Sequence, residues 1–166
     1  VITRYVQKLD FARDSVFGIY DQDFRLVGVG HLAFLPREAI AVLREASEKQ
    51  QVAELGVSVL PEVRGEGIGT RLFVRAAIHC RNRDVDTLHM KCLARNEAMM
   101  HLARKAGMEI HVGCGEANAY LKLRLADPLS VLREAIEEQY AALDYTRQSN
   151  FHRPRRRCRA LPGEPE

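Results

Sequence analysis

The chain has 166 residues, a length that suits one domain around a single core. Apolar residues make up 46% and charged residues 28%, an ordinary globular balance, and no run approaches the ~18 apolar residues of a membrane span. The formal net charge of +3 does not by itself call for a polyanionic partner.

Residues 15–20 (Ser-Val-Phe-Gly-Ile-Tyr) are β-branched and aromatic and read as a strand. Asp21-Gln22-Asp23 reads as a turn, and 26–34 as the second strand of a hairpin. Gly28 and Gly30 inside that strand point to a bulge or a close backbone approach. Pro36 opens a helical stretch over 37–49, with Ile40, Leu43 and Ala46 at helical spacing. Residues 54–60 read as a buried strand that Pro61 ends, because proline cannot donate to a ladder.

A helix follows over 67–81, with Ile68, Leu72, Ala76 and Cys80 on one face beside Phe73 and Ala77. Asp84 belongs to a loop, after which Leu88, Met90 and Cys92 alternate with His89 and Lys91 as in a half-buried strand. Asn96 can cap the next helix, which turns Met99, Leu102 and Ala106 inward and stops at Gly107. Residues 108–112 form a strand, 113–118 a loop, and 119–125 a strand with Ala119, Leu121, Leu123 and Leu125 on its buried face. Asp127 caps and Pro128 starts a C-terminal helix to about Tyr145, striped by Leu129, Leu132, Ile136, Tyr140 and Leu143.

An antiparallel start followed by strand–helix–strand units predicts an α/β domain, with a mixed sheet and helices on both faces. The division expected is a domain over 1–126, a C-terminal amphipathic helix over 127–148 and a basic, disordered tail over 149–166. That helix packs on the domain or on a second subunit, in which case the protein is a homodimer. The run His152-Arg153-Pro154-Arg155-Arg156-Arg157-Cys158-Arg159 could touch nucleic acid, but it lacks aromatic interleaving and a recognition motif. A solvated tail is the reading preferred.

The four cysteines (Cys80, Cys92, Cys114, Cys158) show no C-x-x-C pairing. The six histidines have no carboxylate or cysteine at ligand spacing, so no metal site is expected. No secretory leader opens the sequence, and a reducing, cytoplasmic setting fits best.

The chemistry lies in Arg64-Gly65-Glu66-Gly67-Ile68-Gly69-Thr70, between a strand and a helix. Glycines let backbone N–H groups approach a ligand, and a helix N-terminus adds free donors and partial positive charge. Such a place suits a phosphate, and Arg64 adds a charged fork for a pyrophosphate. A Walker loop would need a lysine after the glycines, which is missing. A dinucleotide fingerprint needs G-x-G-x-x-G where this chain has G-x-G-x-G, and Asp86 precedes the next strand instead of ending it.

This R-x-x-G-x-G-like loop resembles the acetyl-CoA signature of the GNAT family of N-acetyltransferases. Glu54-Leu55-Gly56-Val57-Ser58-Val59 upstream and residues 96–108 downstream, similar to the family's N-x-x-A-x-x-L-Y-x-K-x-G-F segment, extend the likeness to roughly residues 15 to 125. The resemblance implies a GNAT-like acyl-CoA N-acyltransferase fold, mostly antiparallel, with a splayed parallel pair of strands near Val57 and Leu88. It implies that the pantetheine arm of acetyl-CoA pairs with backbone around Val57 and Val59. The pyrophosphate would rest on the amides of Gly65, Gly67, Ile68, Gly69 and Thr70, beside Arg64, with Asn96 on the cofactor side.

The activity implied is transfer of an acetyl group to an amine by direct attack in a ternary complex. The acceptor would be a small molecule, a protein lysine or an N-terminal amine. A free amine is almost all protonated at neutral pH, so a base must take its proton. Glu54 matches the glutamate that the resemblance marks as that base, provided no bulge intervenes between it and Ser58. A backbone N–H near Val57 would serve an oxyanion. The family's usual tyrosine acid is replaced by Ala103, which leaves His101 and Tyr120 as substitutes. The competing reading is a non-catalytic acyl-CoA-binding or regulatory module.

Overall fold

The computed structural model describes residues 10, 12–35, 51–124, 126 and 128–151. The helix expected over 37–49, the Asp127 cap and the basic run from His152 lie outside the described residues.

Six strands form one sheet: β1 (Ser15–Tyr20), β2 (Leu26–Phe34), β3 (Val52–Val59), β4 (Thr87–Leu93), β5 (Glu109–Gly113) and β6 (Glu116–Lys122). Their order is β1-β2-β3-β4-β6-β5, and among the described strands only β3 and β4 run parallel. Three helices accompany them: α1 (Ile68–Asn82), α2 (Glu97–Lys105) and α3 (Pro128–Phe151). The mixed α/β architecture with one parallel pair agrees with the fold the sequence implies.

Strand alternation places Ala53, Leu55, Leu88, Met90 and Ala119 on one face of the sheet, where they meet Leu72, Phe73 and Ala76 of α1 and Leu102 and Ala103 of α2. Leu32, Leu55, Leu72, Leu88 and Met90 are fully buried there. At the ~25 cal/mol per Å² that apolar burial contributes, this interior is the main force holding the helices to the sheet. Gly28 is what lets α1 seat closely. A Cβ at that position would lie 2.6 Å from Ile68 Cγ2 and 3.3 Å from Leu72 Cδ1, so the glycine expected to mark a close approach does so. The register of β2 against β3 runs without a shift from Gly28–Val59 to Phe34–Ala53. Glu54, Gly56 and Ser58 therefore share the face opposite the core.

Several boundaries differ from the sequence reading: β3 begins two residues early at Val52, β6 ends at Lys122, and two further changes fall in the C-terminal half. The loop expected over 113–118 is a tight hairpin instead. Cys114 (φ 52°) and Gly115 (φ 79°) both turn left-handed, as a two-residue turn requires, so β6 begins at Glu116. Helix α3 runs on to Phe151, six residues past Tyr145.

Candidate active site

The loop between β3 and α1 is built by its glycines. Gly65 and Gly67 sit at φ 92° and 80°, a left-handed backbone that a side chain resists. A Cβ at either would meet nothing within 4 Å, so the surface beyond them is open. Gly69 is helical and faces Val57 and Leu102, each about 4 Å from where its Cβ would stand. Gly67 caps α1 without a side chain, and the first closing bond runs from the Arg71 amide to the Gly67 carbonyl at 3.0 Å. The amides of Ile68, Gly69 and Thr70 precede that bond and point out of the helix end. At the other wall, the Asn96 side chain accepts from the Met99 amide at 3.2 Å and so starts α2, the cap expected of it.

Between these two helix ends lies a cleft of about 660 Å³. Val57, Val59, Arg64, Gly65, Gly67, Ile68, Gly69, Thr70 and Asn96 all line it, so the residues picked for cofactor binding converge on one opening. Lys105 and His101 of α2 line it as well, and these the sequence reading did not assign to the cofactor. With Arg64 and Lys105 on facing walls, the cleft carries cationic side chains beside free helix amides, a setting that favours an anion. The Arg64 Nε donates to the Val59 carbonyl at 3.3 Å, which ties the loop to the strand end.

Glu54 and His89 do not line this cleft; they stand three residues below Val57, where β3 and β4 part. Their rungs are Val52–Thr87, Ala53–Leu88 and Glu54–His89, and there the pairing stops. Beyond Glu54 the two strands continue to Val59 and Leu93 with no rung between them, which is the V-shaped opening implied by the resemblance. Glu54 and His89 form the last rung and so stand at the apex.

His89 is 2% exposed. Its Nε2 lies 3.1 Å from Asn118 Oδ1, and its ring stacks on Tyr120 with centroids 4.8 Å apart. The other ring nitrogen, Nδ1, faces Glu54. That Nδ1 is 3.4 Å from Glu54 Oε2 but is not aligned with it, and among the described residues it is a buried nitrogen without a hydrogen-bond partner. The polar contact with His89 is the largest influence on the Glu54 carboxyl and lowers its pKa from the usual carboxylate range. Burial opposes the lowering, while the charges of His89, Lys91 and His31 add to it. Glu54 therefore stays ionised at neutral pH.

A row runs across the sheet on this face, since Ala33 pairs with Glu54, Glu54 with His89, His89 with Tyr120, and Tyr120 with Glu109. The sequence reading selected Glu54 and weighed Tyr120 but read His89 only as the polar half of an alternating strand. Nothing local marks His89; its importance comes from register with Glu54, thirty-five positions away in the chain. Ala103, at the position where a tyrosine was expected, is 2% exposed and packs in the core. Of the proposed substitutes, His101 lines the cleft and Tyr120 lies behind His89.

Cys80 is fully buried, and burial pushes its thiol up to about 12, with the Glu134 charge adding to the rise. No described helix is long and apolar enough to cross a membrane.

Solved structures share this fold. An N-acetyltransferase from Staphylococcus aureus Mu50 superposes with a TM-score of 0.57 at 21% identity, covering 74% of this chain and 75% of its own. A Bacillus subtilis acetyltransferase in complex with CoA gives 0.53 at 17% identity, covering 69% and 80%. Arabidopsis thaliana NAA60 in complex with a bisubstrate analogue gives 0.60 at 10% identity, covering 75% and 84%. Residues 3–108 match the acetyltransferase (GNAT) family, and the chain belongs to that family.

Proposed function

We propose that the chain transfers an acetyl group from acetyl-CoA to a primary amine by direct attack in a ternary complex. The observation that carries the reading is the Glu54–His89 rung at the apex of the V, with an unaligned buried Nδ1 beside an ionised carboxylate. The cofactor fits the residues present. Gly65 and Gly67 leave open space at the helix end, free amides follow, and Arg64 and Lys105 supply cations. Gly65, Gly67, Ile68, Gly69 and Thr70 would hold the pyrophosphate, Val57 and Val59 the pantetheine arm, and Asn96 the facing wall. Bound there, acetyl-CoA supplies an acyl group activated as a thioester.

The protein's own part is proton handling and placement. Glu54 takes the amine proton, directly or through a water, while His89, held at Nε2 beside Asn118, keeps the carboxylate ionised and in place. Glu54 is the base and His89 the residue that positions it. The Ala103 position offers no acid for the departing thiolate, and a CoA thiol is acidic enough to leave without one. The bisubstrate complex of the Arabidopsis neighbour supports room for an acceptor beside the cofactor in this fold.

Thiol release from acetyl-CoA against a panel of primary amines, with small-molecule, lysine-peptide and N-terminal-peptide acceptors, tests the reading. Amine-dependent release is expected. Tight CoA binding with no amine-dependent release would favour a binding module instead, the reading to which the alanine at 103 lends some weight.

A further inference from the structure

The helix α3 is held by its polar side. Glu134 Oε1 contacts His79 Nδ1 and Oε2 accepts from Asn82 Nδ2, both at 2.5 Å, while His79 Nε2 reaches Ser15 Oγ at 2.9 Å. Glu138 brings a third ligand-type atom within 4.8 Å of this group, but the His79 and Glu134 atoms are already bonded to one another, so the cluster is a closed clasp that requires no ion. Among the described side chains of α3, all but Glu134 are exposed. Leu129 is 74% exposed, Leu132 56%, Ile136 46% and Tyr140 71%. An amphipathic helix normally turns such a stripe inward, and here the clasp fixes it outward.

We infer that this stripe is the interface for a second copy of the chain, packed as an antiparallel pair of α3 helices. Leu132, Ile136 and Tyr140 stand four apart and make one ridge of the kind that interdigitates in the commonest helix packing. A two-fold axis at Ile136 sets Leu132 against the second copy's Tyr140 and Tyr140 against its Leu132. Small against large at both ends is the self-complementarity an isologous contact needs. Exposed Ala135, three residues from Leu132, lets the backbones approach closely beside the ridge. Covering both stripes removes on the order of 1,000 Å² from water, the size at which a specific interface begins. Residues 152–166, with Leu161 as their one large aliphatic side chain, carry no matching apolar stripe of their own.

Sedimentation equilibrium of the full chain should give a dimer at micromolar concentration. Ile136→Glu should raise the dimer Kd at least ~100-fold with circular dichroism unchanged, because it buries a charge on the axis. Should that variant fail to fold, the geometry is read by mixing Leu132→Cys with Tyr140→Cys, both in a Cys114→Ser background. The mixed disulfide should exceed either homodimeric one. A monomeric wild type, a dimer indifferent to Ile136→Glu, or like-with-like disulfides in excess would overturn the inference. A monomer in which the stripe is protected from exchange by residues 37–49 would do so as well.

Discussion

Glu54 and His89 divide one task by their environments. The carboxylate is 43% exposed and its pKa is lowered, while the ring is almost wholly buried with an unaligned nitrogen. Glu54→Gln keeps the shape and removes the carboxylate that takes the proton. It should cut turnover by roughly 10²–10³ with little change in CoA affinity, as read by steady-state kinetics and calorimetry. Because the Glu54 carboxyl titrates below the usual carboxylate range, kcat/KM should show its acid limb only there, and a limb near neutrality would overturn Glu54 as the base. Stability follows the carboxylate with a definite sign. A carboxyl titrating lower when folded contributes stability above the usual carboxylate range and loses it as pH falls through the lowered value. Partial exposure keeps that contribution small. Urea midpoints of the wild type and Glu54→Gln should therefore differ slightly at neutral pH and converge in strong acid.

Among the elements, α1 links the fold to the cleft. Its N-terminus presents the amides, and its seat on β2 depends on Gly28. Gly28→Val would drive a side chain into Ile68 and should destabilise by about 1–3 kcal/mol. Ile68→Ala in the same chain should restore part of the loss, a coupling that chemical denaturation of the four-member cycle measures. Gly67→Ala forces a left-handed backbone on a Cβ at about 1–2 kcal/mol. Because the open surface at Gly67 is where the anion would rest, CoA affinity should fall with stability. At the far end, Glu134→Ala removes the carboxylate that His79 and Asn82 share. A loss of about 2–3 kcal/mol is expected, with faster hydrogen exchange confined to α3.

At the scale of the whole molecule, much of the fold was legible because its signals are local. The alternation of Leu88, Met90 and Cys92, the Asn96 cap and the Gly65–Gly67 loop each act through neighbours a few residues away. The 114–115 hairpin was missed because a left-handed cysteine is rare and the flanking glycine and asparagine suggested a looser loop. The cleft between the two helix ends was also legible, since its walls follow from one loop and one cap. His89 was not, because register between β3 and β4 is set by the packed sheet and by no feature of the strand itself. The outward stripe on α3 was read as apolar, yet which way it faces depends on Glu134 meeting His79, a contact between distant segments.

Acyl transfer at the apex of the splayed strands is open to direct measurement. The direct measurement is the rate of CoA thiol release from acetyl-CoA with and without a primary amine acceptor, in the wild type and in Glu54→Gln. Amine-dependent release should appear in the wild type and fall at least ~100-fold in the variant while CoA binding is retained. Retained CoA binding with no amine-dependent release in the wild type, or equal release by both proteins, would contradict it.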